Sequence, residues 1–144
     1  MISLDYSGKN YIVTGGAGGI GGAVVDGIVS GGGHVIIVDL NEAGAQKYQE
    51  KYGKDKVDVC KVDLSSPAEI REKFGALVQK YGQIHGLVCV AGIVSTPKFE
   101  DVTQEEWDRV IAINLTGVFA SIQSVFTNMK EHNYGRIVVV SSVA

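Results

Sequence analysis

The chain has little of what a disulfide scaffold, a metal protein or a nucleic-acid binder needs. Of its 144 residues two are cysteine, three histidine and two proline. Cys60 and Cys89 form neither a metal-ligand spacing nor a disulfide framework, so no metal is expected. Charge of one sign is also scarce. Thirteen Lys and Arg stand against 16 Asp and Glu, a net charge of −3, which gives no basic stripe for nucleic acid or an anionic membrane. The N-terminus shows no basic start followed by an apolar stretch, and no apolar run reads as long enough to span a bilayer. A cytoplasmic protein is therefore expected. Asn114-Leu115-Thr116 has the form of a glycosylation acceptor and is set aside without a secretory signal. Repeats, linkers and low-complexity tracts are lacking, so residues 1–144 read as one domain, large enough for a core.

Glycine, by contrast, is abundant, 19 in all, and concentrated between Gly15 and Gly33. Tyr11-Ile12-Val13 is a β-branched and aromatic run suited to a buried strand, and it enters a glycine cluster at Thr14. A helical pattern follows, with Ile20, Val24 and Ile28 recurring on one face. Gly16, Gly18 and Gly21 satisfy Gly-x-Gly-x-x-Gly. Thr14, Gly15, Gly19, Ile20 and Gly21 equally satisfy Thr-Gly-x-x-x-Gly-Ile-Gly. Either register serves a tight turn, close backbone approach to a pyrophosphate, and tight packing of helix on strand. The helix N-terminus offers unpaired N–H groups to a phosphate. Val35-Ile36-Ile37-Val38 is a second buried strand closed by Asp39, placed to accept hydrogen bonds from ribose hydroxyls and to repel a 2′-phosphate. A P-loop is excluded, because no Lys-Ser or Lys-Thr follows the glycines.

Further along, Asn41 caps a polar helix from Glu42 to Tyr52 that Gly53 ends. Lys56–Lys61 alternates as an edge strand, with Asp63-Leu64 just past it. Ser66-Pro67-Ala68-Glu69 reads as a capping box with proline at the first helical position, ahead of a stripe of Ile70, Phe74, Leu77, Val78 and Tyr81. Gly86–Val90 is a fourth strand, leading through Ala91-Gly92 into a loop. Thr103–Glu106 is a second capping box, and the helix behind it should carry Trp107, Val110 and Ile111 inward, with Asn114 on the same face. A long helix from near Gly117 presents Val118, Ile122, Val125, Phe126 and Met129. Ile137–Val140 is a fifth strand, ending in Ser141-Ser142.

Apolar strands alternating with helices predict an α/β fold, a doubly wound Rossmann-type parallel sheet in the order 3-2-1-4-5 with helices on both faces. Ligands then bind at the carboxyl ends of strands one and four, where the order reverses. Gly15–Gly21, Asp39, Asp63, Gly92 and Ser142 all follow strand carboxyl ends, whereas His34 and His85 precede strands. Catalysis by histidine is thus not expected. Cys60 and Cys89 should lie three strands apart, roughly 14 Å at about 4.8 Å per strand, too far for a disulfide.

With those residues placed, the whole chain resembles the N-terminal part of the short-chain dehydrogenase/reductase family. Thr14–Gly21 looks like the family's cofactor motif. The resemblance implies NAD as cofactor, held by Thr14, Gly15, Gly19, Ile20, Gly21, Asp39 and Leu40, with Asp63 and Leu64 at the adenine and Ala91 and Gly92 after strand four. Asn114, in Asn-Leu-Thr-Gly117, matches the Asn-x-x-Gly asparagine that helps hold a water in the proton relay. Ser142 matches the catalytic serine. Implied too are an alcohol or ketone substrate, hydride transfer to or from nicotinamide, and a homo-oligomer.

Two departures stand out. The family's usual Asn-Asn-Ala-Gly is here Cys89-Val90-Ala91-Gly92, and the Tyr-x-x-x-Lys pair that follows the serine in the family is not among the 144 residues. In its absence Tyr6, Tyr11, Tyr48, Tyr52, Tyr81 and Tyr134 are all wrongly placed to replace it. The first expectation is a dehydrogenase fragment with an unfinished active site. A non-catalytic NAD-binding or assembly module is the alternative, and an S-adenosylmethionine-dependent methyltransferase a more distant one.

Overall fold

The computed structural model describes residues 4–142. Five parallel strands form one sheet in the expected order, β3-β2-β1-β4-β5. They are β1 (Asn10–Thr14), β2 (His34–Val38), β3 (Val57–Cys60), β4 (Gly86–Cys89) and β5 (Arg136–Val139). The first three crossovers are α1 (Gly19–Ser30), α2 (Glu42–Tyr52) and α3 (Pro67–Tyr81). The last runs through α4 (Gln104–Ile111), a π turn (Ala112–Gly117) and α5 (Val118–Glu131).

Alternation along each strand sorts the core into two layers. Ile12, Ile36, Val38, Leu87 and Cys89 face Ile70, Phe74 and Leu77 of α3 and Ala120, Val125 and Met129 of α5. Tyr11, Val13, Val35, Ile37 and Val57 face Val25 and Ile28 of α1 and Ala45 of α2. Central β1 and β2 are buried on both sides, which explains their unbroken apolar runs. Cys60, Val38, Thr14 and Cys89 form one row across the sheet. The two thiols, three strands apart, are free. Burial pushes Cys89 up to about 11, so it behaves as an apolar side chain.

Local signals hold where the side chain itself makes the bond. The Asn41 side chain accepts from the Gly44 amide, and Gly53 ends α2 with φ of 87°. Thr103 and Glu106 form the reciprocal capping box of α4. At α3 the box is only half made. Ser66 accepts from the Glu69 amide, but the Glu69 carboxylate accepts from the Asp63 amide at 3.2 Å instead of turning back on Ser66. Buried Asn128 ties α5 to the α3–β4 turn, accepting from the Ile84 amide at 2.9 Å and donating to the Gly82 carbonyl at 2.9 Å.

Three helical faces differ from expectation. In α1 the buried positions are Gly21, Gly22, Val25 and Ile28, while Val24 is half-buried and Ile20 is 63% exposed. Ile20 stands in the first turn of the helix, open to solvent. In α4 no residue is buried and Trp107 is 57% exposed. Phe126 of α5 is likewise 56% exposed, although its neighbours Val125 and Met129 are buried. The strand-five register starts one residue early, at Arg136, and all of β5 is exposed, paired among the described residues with β4 alone. Finally, α4, the π turn and α5 run on as one 28-residue helix, Gln104–Glu131, which by length and composition could cross a bilayer. Reading it as two separate stripes hides that length. Ala120, Val125 and Met129, with Val118 and Ile122 partly buried beside them, cover the sheet.

Candidate cofactor-binding site

The β1–α1 turn is a backbone device. Gly15 has φ of 70° and its amide donates to the Val38 carbonyl at 2.9 Å. A Cβ on Gly15 would lie 2.7 Å from the Ala91 nitrogen, so β1 and the loop after β4 touch here through bare backbone. A Cβ on Gly21 would lie 2.0 Å from the Gly15 carbonyl oxygen, which seats α1 tightly on the turn. Gly19 has φ of 57° and faces open space. No side chain caps α1 and no acidic residue occupies its first turn, leaving its N–H groups and positive dipole end to an anion.

Asp39, half-buried at the end of β2, holds this turn from the side. Its Oδ2 accepts from the Ala17 amide at 3.0 Å and its Oδ1 from the Asn41 amide at 2.9 Å. Asp63, after β3, accepts at Oδ1 from the Ser65 hydroxyl at 2.6 Å and the Ser65 amide at 2.9 Å. These bonds, hydroxyl first, hold its carboxyl below the ordinary range. Where the family's two asparagines are replaced by Cys89-Val90, the chain end of β4 is secured by Thr14. The Thr14 Oγ1 lies 3.2 Å from the Val90 amide and 3.3 Å from the Ala91 amide, and the Thr14 carbonyl shares both donors.

These segments enclose a cavity of about 230 Å³ lined by Gly15, Asp39, Leu40, Asp63, Leu64, Ala91 and Gly92, together with Val62, Ile93 and Ile113. Seven of the expected site residues thus converge, and Thr14, Gly19, Ile20 and Gly21 form the turn beside them. Val62, Ile113 and the Ala17 amide are additions that sequence reading did not single out, and Ile93 opens the loop after Gly92. Ala17 lies inside the glycine motif, and Ile113 directly precedes Asn114. The lining suits an adenosine: a carboxylate acceptor at one end, apolar Leu40, Leu64 and Ile113 around it, and an uncapped helix beside it. A larger open concavity of about 470 Å³ lies at the other end of the sheet, among Phe126, Met129, Tyr134 and Arg136, and holds none of these residues.

Asn114 and Ser142 do not line the cavity. Asn114 is exposed rather than on an inward face, yet both ends of its amide are bonded. Its Oδ1 accepts from the Ile93 amide at 2.9 Å and its Nδ2 donates to the Ile93 carbonyl at 2.8 Å. Ser142 is exposed past the carboxyl end of β5, on the same edge as the cavity. The tyrosines sit elsewhere. The Tyr52 hydroxyl donates to Asp26, Tyr81 donates to Asp58, and Tyr134 lies between Lys9 and Arg136 at the opposite edge. Among the described residues no cluster of His, Cys, Asp and Glu is arranged to hold a metal.

A doubly wound sheet with a glycine turn and an acidic residue at its switch point defines a dinucleotide-binding class. Comparison with known proteins narrows it. The short chain dehydrogenase family pattern matches residues 9–144. Short-chain dehydrogenase reductase 3a of Arabidopsis thaliana is 36% identical over 146 residues, covering 100% of this chain and 57% of that protein. The D-threitol dehydrogenase of Mycolicibacterium smegmatis is 32% identical, covering 99% and 57%. The crystal structure of gox2181, 35% identical, superposes with a TM-score of 0.90 over 97% of this chain and 56% of that one. The chain belongs to the short-chain dehydrogenase/reductase family of oxidoreductases, whose members use a nicotinamide cofactor. It spans little more than half the length of these relatives.

Proposed function

We propose that this chain is the cofactor-binding part of an NAD(H)-dependent, cytoplasmic, homo-oligomeric oxidoreductase acting on a secondary alcohol or ketone. The observation that carries the reading is Asp39. Its carboxylate stands at the end of β2 on the cavity wall, pinned through both oxygens to backbone amides. So fixed, it can accept from ribose hydroxyls and repels a 2′-phosphate. Among the described residues lining the cavity there is no Lys or Arg to attract one.

The bound nicotinamide supplies the hydride chemistry. The chain's own part is to bind and orient. The glycine turn and α1 N-terminus take the pyrophosphate, Asp39 and Leu40 the ribose end, and Asp63 and Leu64 the adenine. Asn114 fixes the backbone of Ile93, and Ser142 is the group on this edge suited to hold a substrate oxygen. Exposed Trp107, Leu115, Phe119 and Phe126 along the long helix supply an apolar surface for a second subunit.

NADH should bind at least about tenfold more tightly than NADPH, a difference of about 1.4 kcal/mol, and Asp39→Ala should narrow that gap. Equal dissociation constants for the two in the unmutated chain would refute NAD selectivity. Tight NADH binding without turnover of alcohols or ketones, even when a Tyr-x-x-x-Lys helix is supplied, would favour the alternative of a non-catalytic NAD-binding module.

A further inference from the structure

The π turn between α4 and α5 touches both walls of the cavity. Such a turn takes one more residue per hydrogen bond than an α-helix, and so re-aims the residues on either side of it. Asn114 is paired with both backbone groups of Ile93, which belongs to the wall after β4. Gly117, three residues later and buried, meets the wall after β3. A Cβ on Gly117 would lie 2.3 Å from the Leu64 carbonyl oxygen and 3.4 Å from the Leu64 carbonyl carbon. Ile113, from the same turn, lines the cavity between these walls. The Gly117 carbonyl is itself tied down, accepting from the buried Ser121 hydroxyl at 2.8 Å.

We propose that Gly117 is a positioning residue for the adenine end of the cofactor, its missing side chain setting how far the Leu64 wall stands from the Ile93 wall. The proposal rests on the NAD(H)-binding reading of the cavity. Its physical basis is that the clash partner is a backbone oxygen, which no rotamer change relieves. To bring a Cβ from 2.3 Å out to the 3.0 Å floor of real contacts, loop and helix must part by at least 0.7 Å. The helix is held by Asn114 on Ile93 and by α5 on the sheet, so the Asp63-Leu64 loop is the part that yields. Asp63 and Leu64 then leave the place where the base is held, and the whole cavity widens. Gly117 touches neither the cavity nor the reacting atoms, and it acts only through Leu64.

The test uses AMP, which reports the adenine end alone, and NADH, titrated into the 144-residue chain and into Gly117→Ala. Val125→Ala serves as a control, since it removes a fully buried side chain of the same helix on the sheet side. Gly117→Ala should weaken AMP by about tenfold or more and NADH by the same factor. Val125→Ala should lower the unfolding midpoint and leave AMP affinity unchanged. Unchanged AMP affinity in Gly117→Ala, or an equal loss in Val125→Ala, would overturn the proposal. Should Gly117→Ala not fold, hydrogen exchange on the unmutated chain decides. AMP should protect the amides of residues 112–117 together with those of 62–65, and protection confined to 62–65 would overturn it. An unmutated chain that binds neither AMP nor NADH would instead remove the NAD(H) reading on which the proposal rests.

Discussion

Two glycines of the nucleotide turn, two residues apart, should fail in opposite ways. An alanine at Gly21 places its Cβ 2.0 Å from the Gly15 carbonyl oxygen and 2.7 Å from the Gly15 carbonyl carbon. Gly15 cannot give way, because its amide is bonded to Val38 and its own Cα lies against the Ala91 backbone. The start of α1 must therefore lift off the sheet by about 1 Å or more. Overpacking of that kind costs about 1–3 kcal/mol. At roughly 3 °C per kcal/mol for a domain of this size, Gly21→Ala should lower Tm by roughly 3–9 °C. Gly19 is different: nothing lies within 4 Å of its absent Cβ, and only its φ of 57° disfavours a side chain. Left-handed backbone costs an alanine about 1–2 kcal/mol, partly offset by the smaller entropy loss on folding. Gly19→Ala should therefore be the milder change in stability and the larger in binding, since its methyl enters the space in front of the α1 N-terminus. Urea midpoints by far-UV circular dichroism and NADH fluorescence titrations, run on both variants, should give opposite rank orders. NADH affinity should fall at least about tenfold in Gly19→Ala. A Gly19→Ala protein that binds NADH as tightly as the parent would show that the pyrophosphate does not lie over this turn, and one destabilised as much as Gly21→Ala would refute the packing account of Gly21.

Acid should destabilise the fold before any carboxylate titrates. Burial pulls His34 below its ordinary value of 6.5, against Asp58 and with Lys80 and Lys56, and its Nδ1 is buried without a partner; burial does the same to His85 beside Lys9 and His132. Both lowered values mean the unfolded chain takes up protons first, so this stability is complete above about pH 6.5 and is lost as pH falls toward the folded values. His34→Asn should flatten the slope, and urea midpoints that stay level from about pH 7.5 to about pH 5 would contradict the assignment. Self-association is the other expectation. Phe119, Phe126 and Leu115 on α5 and the π turn, with the open edge of exposed β5, should make the 144-residue chain associate in sedimentation and show no turnover. A concentration-independent monomer that reduces a ketone would refute both.

The sheet was legible because its central strands leave no alternative. Val35–Val38 is apolar at every position, which a half-buried strand cannot be, and this places β2 inside a parallel sheet. The alternating Lys56–Lys61 carries three charged residues in a short run, and β3 lies at the edge accordingly. Caps were legible for a similar reason, since the Asn41 and Thr103 side chains bond to amides within their own first turns. The capping box at Ser66 closes only by half because the Asp63 amide, just outside the motif, takes the Glu69 carboxylate, and the four residues of the box do not announce it.

The long helix shows where periodicity loses its authority. From Leu115 to Met129 it is apolar on two sides, so a moment points to an average direction that neither face occupies. Val125 and Met129 reach the core while Phe126, one position on from Val125, does not. Trp107 and Asn114 are both exposed, so the error lies in reading their face as inward. The path from one to the other enters the π turn. The sequence therefore names Asn114 through its motif but misplaces it, calling inward a residue that is exposed and bonded to a loop. The Asn114 amide nonetheless finds a backbone N–H and a C=O, both of Ile93, to match it. What could not be read is that the same turn sets Gly117 against Leu64. That contact joins residues 53 positions apart through atoms every residue possesses, and only the absence of a side chain on one of them marks it.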